Sequence, residues 1–218
     1  MSLLRNKKAI LFDHDGTLVD SEGIYYQLWR QLLKLTSEQF TPEMYKKHCV
    51  GIPILGNADY LIERFSLTSS RDELVAGRGA LSDAYLAQQP FPMMSGANEI
   101  LALFKQQNIR MAVVSGSERK AVLDTVVGHG FEGMFEVIAT GDQVTNNKPA
   151  PDVYLYCLQQ MELQASDCIA IEDTEHGVQA AHAAGIEVIA VPNQYTLEHD
   201  FTLATTVLPE LTALSKLL

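Results

Sequence analysis

Short apolar runs alternate along this chain with longer stretches in which apolar residues recur at helical spacing. The runs are rich in β-branched residues, as buried strands are, and cover residues 9–12, 111–114, 137–139, 169–171 and 188–191. Between the later runs, the spacing predicts helices over residues 118–129, 151–161 and 175–184. Strands that alternate with helices in this way form right-handed βαβ units, and strands covered on both faces are apolar throughout. The pattern therefore predicts an α/β fold with a doubly wound, Rossmann-like parallel sheet.

The segment between the first and second runs breaks this alternation. Residues 19–89 contain no comparable strand, and their apolar spacing predicts helices over residues 21–35, 42–49, 55–65 and 71–88. Pro90 and Pro92 mark the return to the sheet. We interpret residues 19–89 as an inserted all-helical cap domain that folds over the sheet edge. Residues 1–18 and 90–218 would then form the core domain.

The composition narrows the range of partners and compartments. The formal net charge is −11, and nucleic acids and anionic membranes favour a basic face, so we expect neither as a partner. A small anionic substrate is compatible, because a site can be locally positive in an acidic protein. The sequence has no run of about 18 apolar residues that could span a bilayer, and its three cysteines lack CxxC spacing. We expect a reduced, cytoplasmic protein that is a monomer, with a dimer as the alternative.

Two carboxylates stand one residue apart directly after the first strand, in the stretch Asp13-His14-Asp15-Gly16-Thr17. On an extended backbone, residues i and i+2 point to the same side, so Asp13 and Asp15 should lean into one crevice. In an open α/β sheet, ligands bind in the crevice at the carboxyl ends of the strands. Adjacent carboxylates repel unless a cation or a shared proton compensates. The pair predicts either a hard divalent metal or a division of labour between a nucleophile and an acid/base.

Three further polar groups follow later strands. Ser115-Gly116 comes after the second strand, Lys148 lies in the loop after the third, and Glu172-Asp173 comes directly after the fourth. Because the carboxyl ends of parallel strands share one edge of a sheet, we expect all of these groups to meet there.

Together these motifs resemble those of the haloacid dehalogenase-like hydrolases, a superfamily populated mostly by phosphatases. The resemblance covers nearly the whole chain: Asp-x-Asp-Gly-Thr, a strand ending in serine, Lys-Pro-x-Pro, and a Glu-Asp pair followed by a glycine. It implies that Asp13 attacks phosphorus and forms an aspartyl-phosphate. Asp15 would protonate the leaving group and then take a proton from the attacking water. Ser115, Gly116 and Lys148 would hold the phosphate.

The resemblance also implies a magnesium ion as the cofactor. Its ligands would be Asp13, Asp173, Glu172 and the backbone carbonyl of Asp15. Glu172 could instead act through a bound water or orient Lys148. The histidines show no metal-ligand spacing, so we do not expect zinc.

Several branches of this superfamily share the core motifs. Asp15 favours phosphoryl transfer, since the dehalogenase branch lacks this second aspartate. The β-phosphoglucomutase-like isomerases carry a histidine where this chain has Tyr25, and a basic residue shortly after the cap glycine that corresponds to Gly51. Here Gly51 is followed by apolar residues and proline. We therefore expect a phosphatase similar to the sugar-phosphate and phosphoglycolate phosphatases, with the isomerase as the alternative. A catalytically silent binding protein is disfavoured because every motif position keeps its usual residue type.

The cap is expected to choose the substrate by excluding water and contacting its non-phosphate end. The candidate contacts come from the first two predicted cap helices and the loop that follows them: Glu22, Tyr25, Tyr26, Trp29, Lys47, His48 and Ile52. Trp29 and one of the tyrosines could instead pack inside the cap. A small helical cap leaves room for a compact phosphorylated metabolite.

Overall fold

The structure is a computed structural model that describes residues 3–4 and 6–218. Its centre is a parallel sheet of six strands, which confirms the predicted fold class. The strands are β1 (Ala9–Phe12), β2 (Arg110–Ser115), β3 (Val137–Thr140), β4 (Cys168–Glu172), β5 (Glu187–Ala190) and β6 (Thr206–Val207). Their order is β3-β2-β1-β4-β5-β6, so the chain builds outward from β1 on one side and then crosses to the other. This reversal opens a crevice at the carboxyl ends of β1, β2 and β4.

Helices cover both faces of the sheet. Between β1 and β2 lie α1 (Glu22–Leu33), α2 (Pro42–His48), α3 (Ile54–Phe65), α4 (Arg71–Leu86) and α5 (Ala97–Gln106). The later helices are α6 (Arg119–Gly128), α7 (Asp152–Met161) and α8 (Glu175–Ala183), and the chain ends in a 3-10 segment, Leu211–Leu217. One sheet face packs on α5, α6 and the 3-10 segment, and the other packs on α7 and α8.

The two faces of the sheet differ in side-chain size. Alternate residues of β1 and β4, such as Phe12 and Ile171, point toward α5 and α6. Their neighbours on the other face include Ala9 and Ala170, which pack against α7 and α8. Small residues let a helix lie close to a strand, so the layer between the sheet and α7 and α8 is rich in alanine.

The helices α1 to α4 share a buried core that continues into the α5 face of the sheet. The chain leaves and re-enters the sheet side by side, because the Asp20 N–H donates to the Pro92 carbonyl at 2.7 Å and the Met94 N–H donates to the Leu18 carbonyl at 2.9 Å. The boundaries 18/19 and 89/90 of a separate cap domain stay a prediction. Met1, Ser2 and Arg5 of the predicted core segment lie outside the described residues.

Three elements of the core were not predicted, namely α5, β6 and the 3-10 segment Leu211–Leu217. Helix α5 buries Ala97, Ile100, Leu101 and Phe104. Their i, i+3, i+4, i+7 spacing is typical of a helix, although no helix was predicted there. Strand β6 has two residues, which is too short to leave a period in the sequence.

In the part of the chain that the structure describes, no helix combines the length and the apolarity needed to cross a bilayer. Cys49, Cys157 and Cys168 are free and buried, and burial raises the pKa of their thiols. These cysteines are core residues.

Candidate active site

The centre of the site is the ammonium group of Lys148, which is buried at the carboxyl ends of the central strands. Its Nζ donates to Asp13 Oδ1 at 2.6 Å, to Glu172 Oε1 at 2.7 Å and to the Val114 carbonyl at 2.8 Å. Burial works against the charge on Lys148, but Asp13 and Glu172 outweigh it and raise the pKa of the ammonium above its usual range. Lys148 is therefore cationic and tied to both carboxylates. Tyr154 on α7 donates to the same Glu172 oxygen at 2.6 Å and fixes it further.

Three buried carboxylates surround this lysine. Asp13, Glu172 and Asp173 each place an oxygen within 4.8 Å of the other two. Burial raises the pKa of all three carboxyl groups, while Lys148 opposes the rise. Repulsion from Asp13 raises the pKa of Glu172 and Asp173 further, and repulsion from Asp15 raises that of Asp13. One ammonium cannot neutralise three carboxylates.

The Glu172 Oε2 atom is buried and, among the described residues, has no hydrogen-bond partner. A group of carboxylate oxygens that lacks positive charge and still has free acceptor capacity fits a hard divalent cation such as Mg²⁺. These side chains match those predicted as metal ligands.

Two hydrogen-bond donors and two glycines pack against the acidic cluster of Asp13, Glu172 and Asp173. Asp173 accepts hydrogen bonds from the Thr17 hydroxyl at 3.3 Å and from the Asn193 amide at 2.7 Å. Gly16 has a φ of +84°, and a Cβ there would overlap the Asp173 carboxylate, so this turn requires glycine. Gly177 in the first turn of α8 lies against Glu172 in the same way. The two glycines explain why each acidic motif is followed closely by a glycine.

Asp15 is not part of the group of three carboxylates and accepts several hydrogen bonds from hydroxyl groups. Its Oδ1 accepts from Ser21 at 2.7 Å and Tyr25 at 3.0 Å, and its Oδ2 accepts from Ser117 at 2.7 Å. The His14 ring also contacts Oδ2, at 3.2 Å. Burial opposes ionisation, but His14 and the hydroxyl donors outweigh it and hold the pKa of Asp15 well below its usual range. Asp15 is thus an ionised carboxylate positioned by side chains from both α1 and the loop after β2.

The loops after β2 and β3 form the floor beside these groups. Ser115 is fully buried, and its hydroxyl accepts a hydrogen bond from the Ser117 N–H at 3.0 Å. Gly116, Ser117 and Lys148 reach the cavity above. Asn147 joins the two loops, since its amide donates to the Gly116 carbonyl at 2.7 Å. Of the residues predicted for phosphate binding, Gly116 and Lys148 line the cavity and Ser115 does not, while Asn147, which also lines it, was not predicted.

A cavity of about 370 Å³ lies between this floor and helices α1 to α4. Glu22, Tyr25 and Trp29, which are three and seven residues apart on α1, line it, as does Ile52. Burial raises the pKa of Glu22 to about 7, although the Tyr45 hydroxyl, which donates to it at 2.5 Å, counters part of the rise.

The structure does not bring Lys47 and His48 to this cavity. Lys47 is exposed, and the His48 ring stacks on Tyr60 with 4.5 Å between centroids. Tyr45 is the α2 residue that lines the cavity, and a residue two positions later lies on the far side of a helix. We therefore leave Lys47 and His48 out of the proposed site.

Tyr26, another predicted contact, packs inside the helical segment, where its hydroxyl donates to the Phe40 carbonyl at 2.6 Å. Polar residues of α3 and α4 that line the cavity were not predicted, namely Asn57 on α3, and Arg78, Ser82 and Asp83 on α4. No motif indicates which face of α3 or α4 turns toward the sheet.

Comparison with known proteins decides the family. The model for haloacid dehalogenase-like hydrolases matches residues 10–191, which include all four motif groups. The chain belongs to this family. The predicted resemblance is confirmed, as is the prediction that the chain is a hydrolase.

Relatives of this haloacid dehalogenase-like hydrolase match it over most of their length. Protein CbbY of Rhodobacter capsulatus is 30% identical over 218 residues and 94% of each chain is covered. Fructose-1-phosphate phosphatase YqaB of Escherichia coli strain K12 is 30% identical, over 84% of this chain and 95% of the relative. The crystal structure of CbbY from Rhodobacter sphaeroides in complex with phosphate superposes with a TM-score of 0.84 at 24% identity, covering 95% of this chain and 96% of that one. This structural likeness supports the fold.

Proposed function

We propose that this hydrolase is a magnesium-dependent phosphatase that cleaves a small phosphorylated metabolite, a sugar phosphate, through an aspartyl-phosphate. The observation that carries the proposal is the position of Asp13 at the floor of the cavity, 2.6 Å from the Lys148 ammonium and within metal-sharing distance of Asp173 and Glu172. A nucleophile, a fixed cation and a divalent-metal ligand set meet at one point, as phosphoryl transfer requires.

The first step uses Asp13 and Asp15. An Asp13 carboxylate oxygen forms a bond to phosphorus as the bond from phosphorus to the leaving oxygen breaks. Asp15 supplies the proton that the leaving oxygen takes up. Asp15 is ionised in the free site, and the negative phosphate group, on arriving beside it, raises its pKa and favours the protonated form.

The second step returns the enzyme to its starting state. A water attacks phosphorus, the bond between Asp13 and phosphorus breaks, and Asp15 accepts the proton of the water. Lys148 stays beside Asp13 and stabilises the negative charge on the transferred group in both steps. Magnesium, held by Asp13, Asp173 and Glu172, would offset the charge of the phosphoryl oxygens.

The relatives support a carbohydrate phosphate as the substrate. Fructose-1-phosphate phosphatase YqaB and a phosphorylated carbohydrates phosphatase of Thermotoga maritima, 27% identical over 84% of this chain, both act on such esters by name. A sugar-phosphate isomerase is the alternative function. The fold is shared with β-phosphoglucomutase of Clostridium difficile, which superposes with a TM-score of 0.75 at 22% identity over 94% of this chain and 92% of that one. Tyr25, whose hydroxyl is bound to Asp15, stands where such isomerases have a histidine, and this favours water as the acceptor.

The test is phosphate release with magnesium from sugar phosphates, phosphoglycolate and nucleotides, using Asp13→Asn and the matched surface variant Asp72→Asn. We expect Asp13→Asn to lose at least about 10³-fold in kcat, as removal of a nucleophile does, and Asp72→Asn to match the wild type. Chelation with EDTA should stop release, and added Mg²⁺ should restore it. Near-normal activity of Asp13→Asn would refute the proposal. Isomerisation of a sugar 1-phosphate on addition of a bisphosphate, with no release, would identify the isomerase.

A further inference from the structure

Three residues of α3 and α4 that line the cavity each carry a buried polar atom without a partner among the described residues. The Asn57 Oδ1, Ser82 Oγ and Arg78 Nε atoms are buried and make no hydrogen bond to any described residue. Asn57 and Ser82 are more than nine-tenths buried, at 7% and 6% exposure. Such atoms are rare in folded proteins, because an unpaired buried polar group costs about 1–3 kcal/mol. Half of the six buried unpaired side-chain atoms in the described residues thus lie in one wall of one cavity.

The three side chains face the catalytic floor from the opposite side. Arg78 and Ser82 are four residues apart on α4 and so share a helix face, and Asn57 comes from α3. The Arg78 guanidinium stacks on the Tyr25 ring at 4.0 Å from its centroid, and the Tyr25 hydroxyl contacts Asp15. This wall therefore adjoins the acid/base Asp15 and stands where the leaving group of a phosphate ester would lie.

The charges of the wall disfavour an acidic leaving group. Among the described cap residues that line the cavity, Arg78 is the only cation, and Glu22 and Asp83 are acidic. Asp83 is paired with Lys120 at 2.8 Å, and Arg78 lies close enough to Glu22 to lower its pKa. A carboxylate or second phosphate on the leaving group would have Arg78 as its only cation in this wall, and Arg78 already interacts with Glu22.

The hydrogen-bonding capacities match a neutral polyol instead. The Asn57 Oδ1 atom accepts, the Arg78 Nε–H donates, and the Ser82 hydroxyl does both. Sugar hydroxyls also donate and accept, so each could pair with one of these groups. The cavity of about 370 Å³ is at the small end of ligand pockets and suits a compact molecule.

We propose that Asn57, Arg78 and Ser82 form, with Glu22, the leaving-group subsite of this enzyme, and that it takes an uncharged polyhydroxylated group while rejecting a carboxylate or a second phosphate. The inference rests on the proposed phosphatase function and adds the residues and the charge of the group that they recognise.

The kinetic test compares a hexose monophosphate with p-nitrophenyl phosphate, whose leaving group has no sugar hydroxyls. Ser82→Ala and Asn57→Leu should each lower the ratio of kcat/KM values for these two esters about 5-fold, and Arg78→Met should lower it at least about 10-fold. Ser69→Ala, an exposed serine between α3 and α4, is the control and should leave both esters unchanged. The wild type should prefer the monophosphate to a hexose bisphosphate and to phosphoglycolate by at least about 10-fold.

The melting temperature of the free enzyme distinguishes a ligand-binding role of Ser82 from a structural role. Because the Ser82 hydroxyl has no partner within the described protein, Ser82→Ala should melt at the wild-type temperature or above it. A lower melting temperature with an unchanged kcat/KM ratio would assign Ser82 to the fold and overturn the inference. A preference for the bisphosphate or phosphoglycolate would overturn it too, while Asp13-dependent release from p-nitrophenyl phosphate would keep the phosphatase. If the wild-type enzyme released no phosphate from any of these esters, both the subsite and the phosphatase proposal would be refuted.

Discussion

Gly177 allows a sharp test of the packing around the acidic cluster of Asp13, Glu172 and Asp173. A Cβ added to Gly177 would lie closer than 3.0 Å to all three carboxyl atoms of Glu172, well inside the roughly 3.5 Å at which non-bonded heavy atoms approach. The Glu172 carboxylate would have to move by about 1.5 Å to restore ordinary contact distances, and it is held in place by Lys148 at 2.7 Å and Tyr154 at 2.6 Å. Overpacking costs about 1–3 kcal/mol, and weakened hydrogen bonds to a buried charge cost about 1–3 kcal/mol more.

We therefore expect Gly177→Ala to lower the free energy of unfolding by about 3 kcal/mol and the Tm by about 6–12 °C. The matched control is Gly79→Ala in α4, where an added Cβ meets nothing within 4 Å. Ala is the better helix former by about 0.5–1 kcal/mol, so Gly79→Ala should raise the Tm. The two substitutions are chemically identical and should have opposite signs.

Thermal and urea unfolding of the two variants measure this difference, and a double variant locates its cause. When Glu172 is first replaced by alanine, Gly177→Ala has nothing to displace, and it should then stabilise the protein as Gly79→Ala does. If Gly177→Ala is as stable as Gly79→Ala in the wild-type background and keeps full activity, the close contact with Glu172 is wrong.

Three further predictions follow from individual contacts. Because burial raises the pKa of Glu22 to about 7, its contribution to stability is fully present below about pH 4.5 and is lost as the pH rises through 7. Glu22→Gln should remove a pH dependence of roughly 2 kcal/mol between about pH 5 and 8 in urea titrations, and parallel curves would contradict this. Asn193→Ala, which removes the 2.7 Å bond to Asp173, should raise the Mg²⁺ concentration for half-maximal activity at least about 10-fold, and an unchanged magnesium titration would count against it. Tyr154→Phe leaves Glu172 short of one donor and should lower the free energy of unfolding, measured by urea titration, by about 1.5 kcal/mol, whereas no loss would show that this bond is dispensable.

Much of the core could be predicted because its signals are local. The apolar runs, such as residues 169–171 within Cys168–Glu172, are buried on both faces. Their composition alone predicts strands, whichever elements pack beside them. The parallel arrangement then brings residues as far apart as Asp13 and Lys148 to one edge, so their proximity follows from topology.

The walls of the cavity were harder to predict because they depend on how whole helices rotate. Residues of α1 with helical spacing, Glu22 and Trp29, could be picked correctly as cavity neighbours, but the same reasoning failed on α2, where Lys47 faces solvent. Ser82 and Asn57 carry no motif, and only the packing of α3 and α4 reveals that their polar atoms are buried without partners. The roles of the site residues, the cap boundaries, the compartment and the monomeric state remain predictions.

The unequal faces of the sheet have a consequence for how this enzyme tolerates change. Helix α7 begins just after the Lys148 loop and α8 just after Glu172 and Asp173, and both rest on the alanine-rich side of the strands. Lys148 lies in the loop that leads into α7 and Asp173 in the turn that leads into α8, so the thickness of that layer affects where these two side chains stand. Enlarging Ala170 by one or two carbons, two residues before Glu172 on β4, would press on α7 and α8 and displace these charged groups relative to Asp13. The volume of inert residues beneath the site is therefore as much a determinant of turnover as the identity of the residues within it.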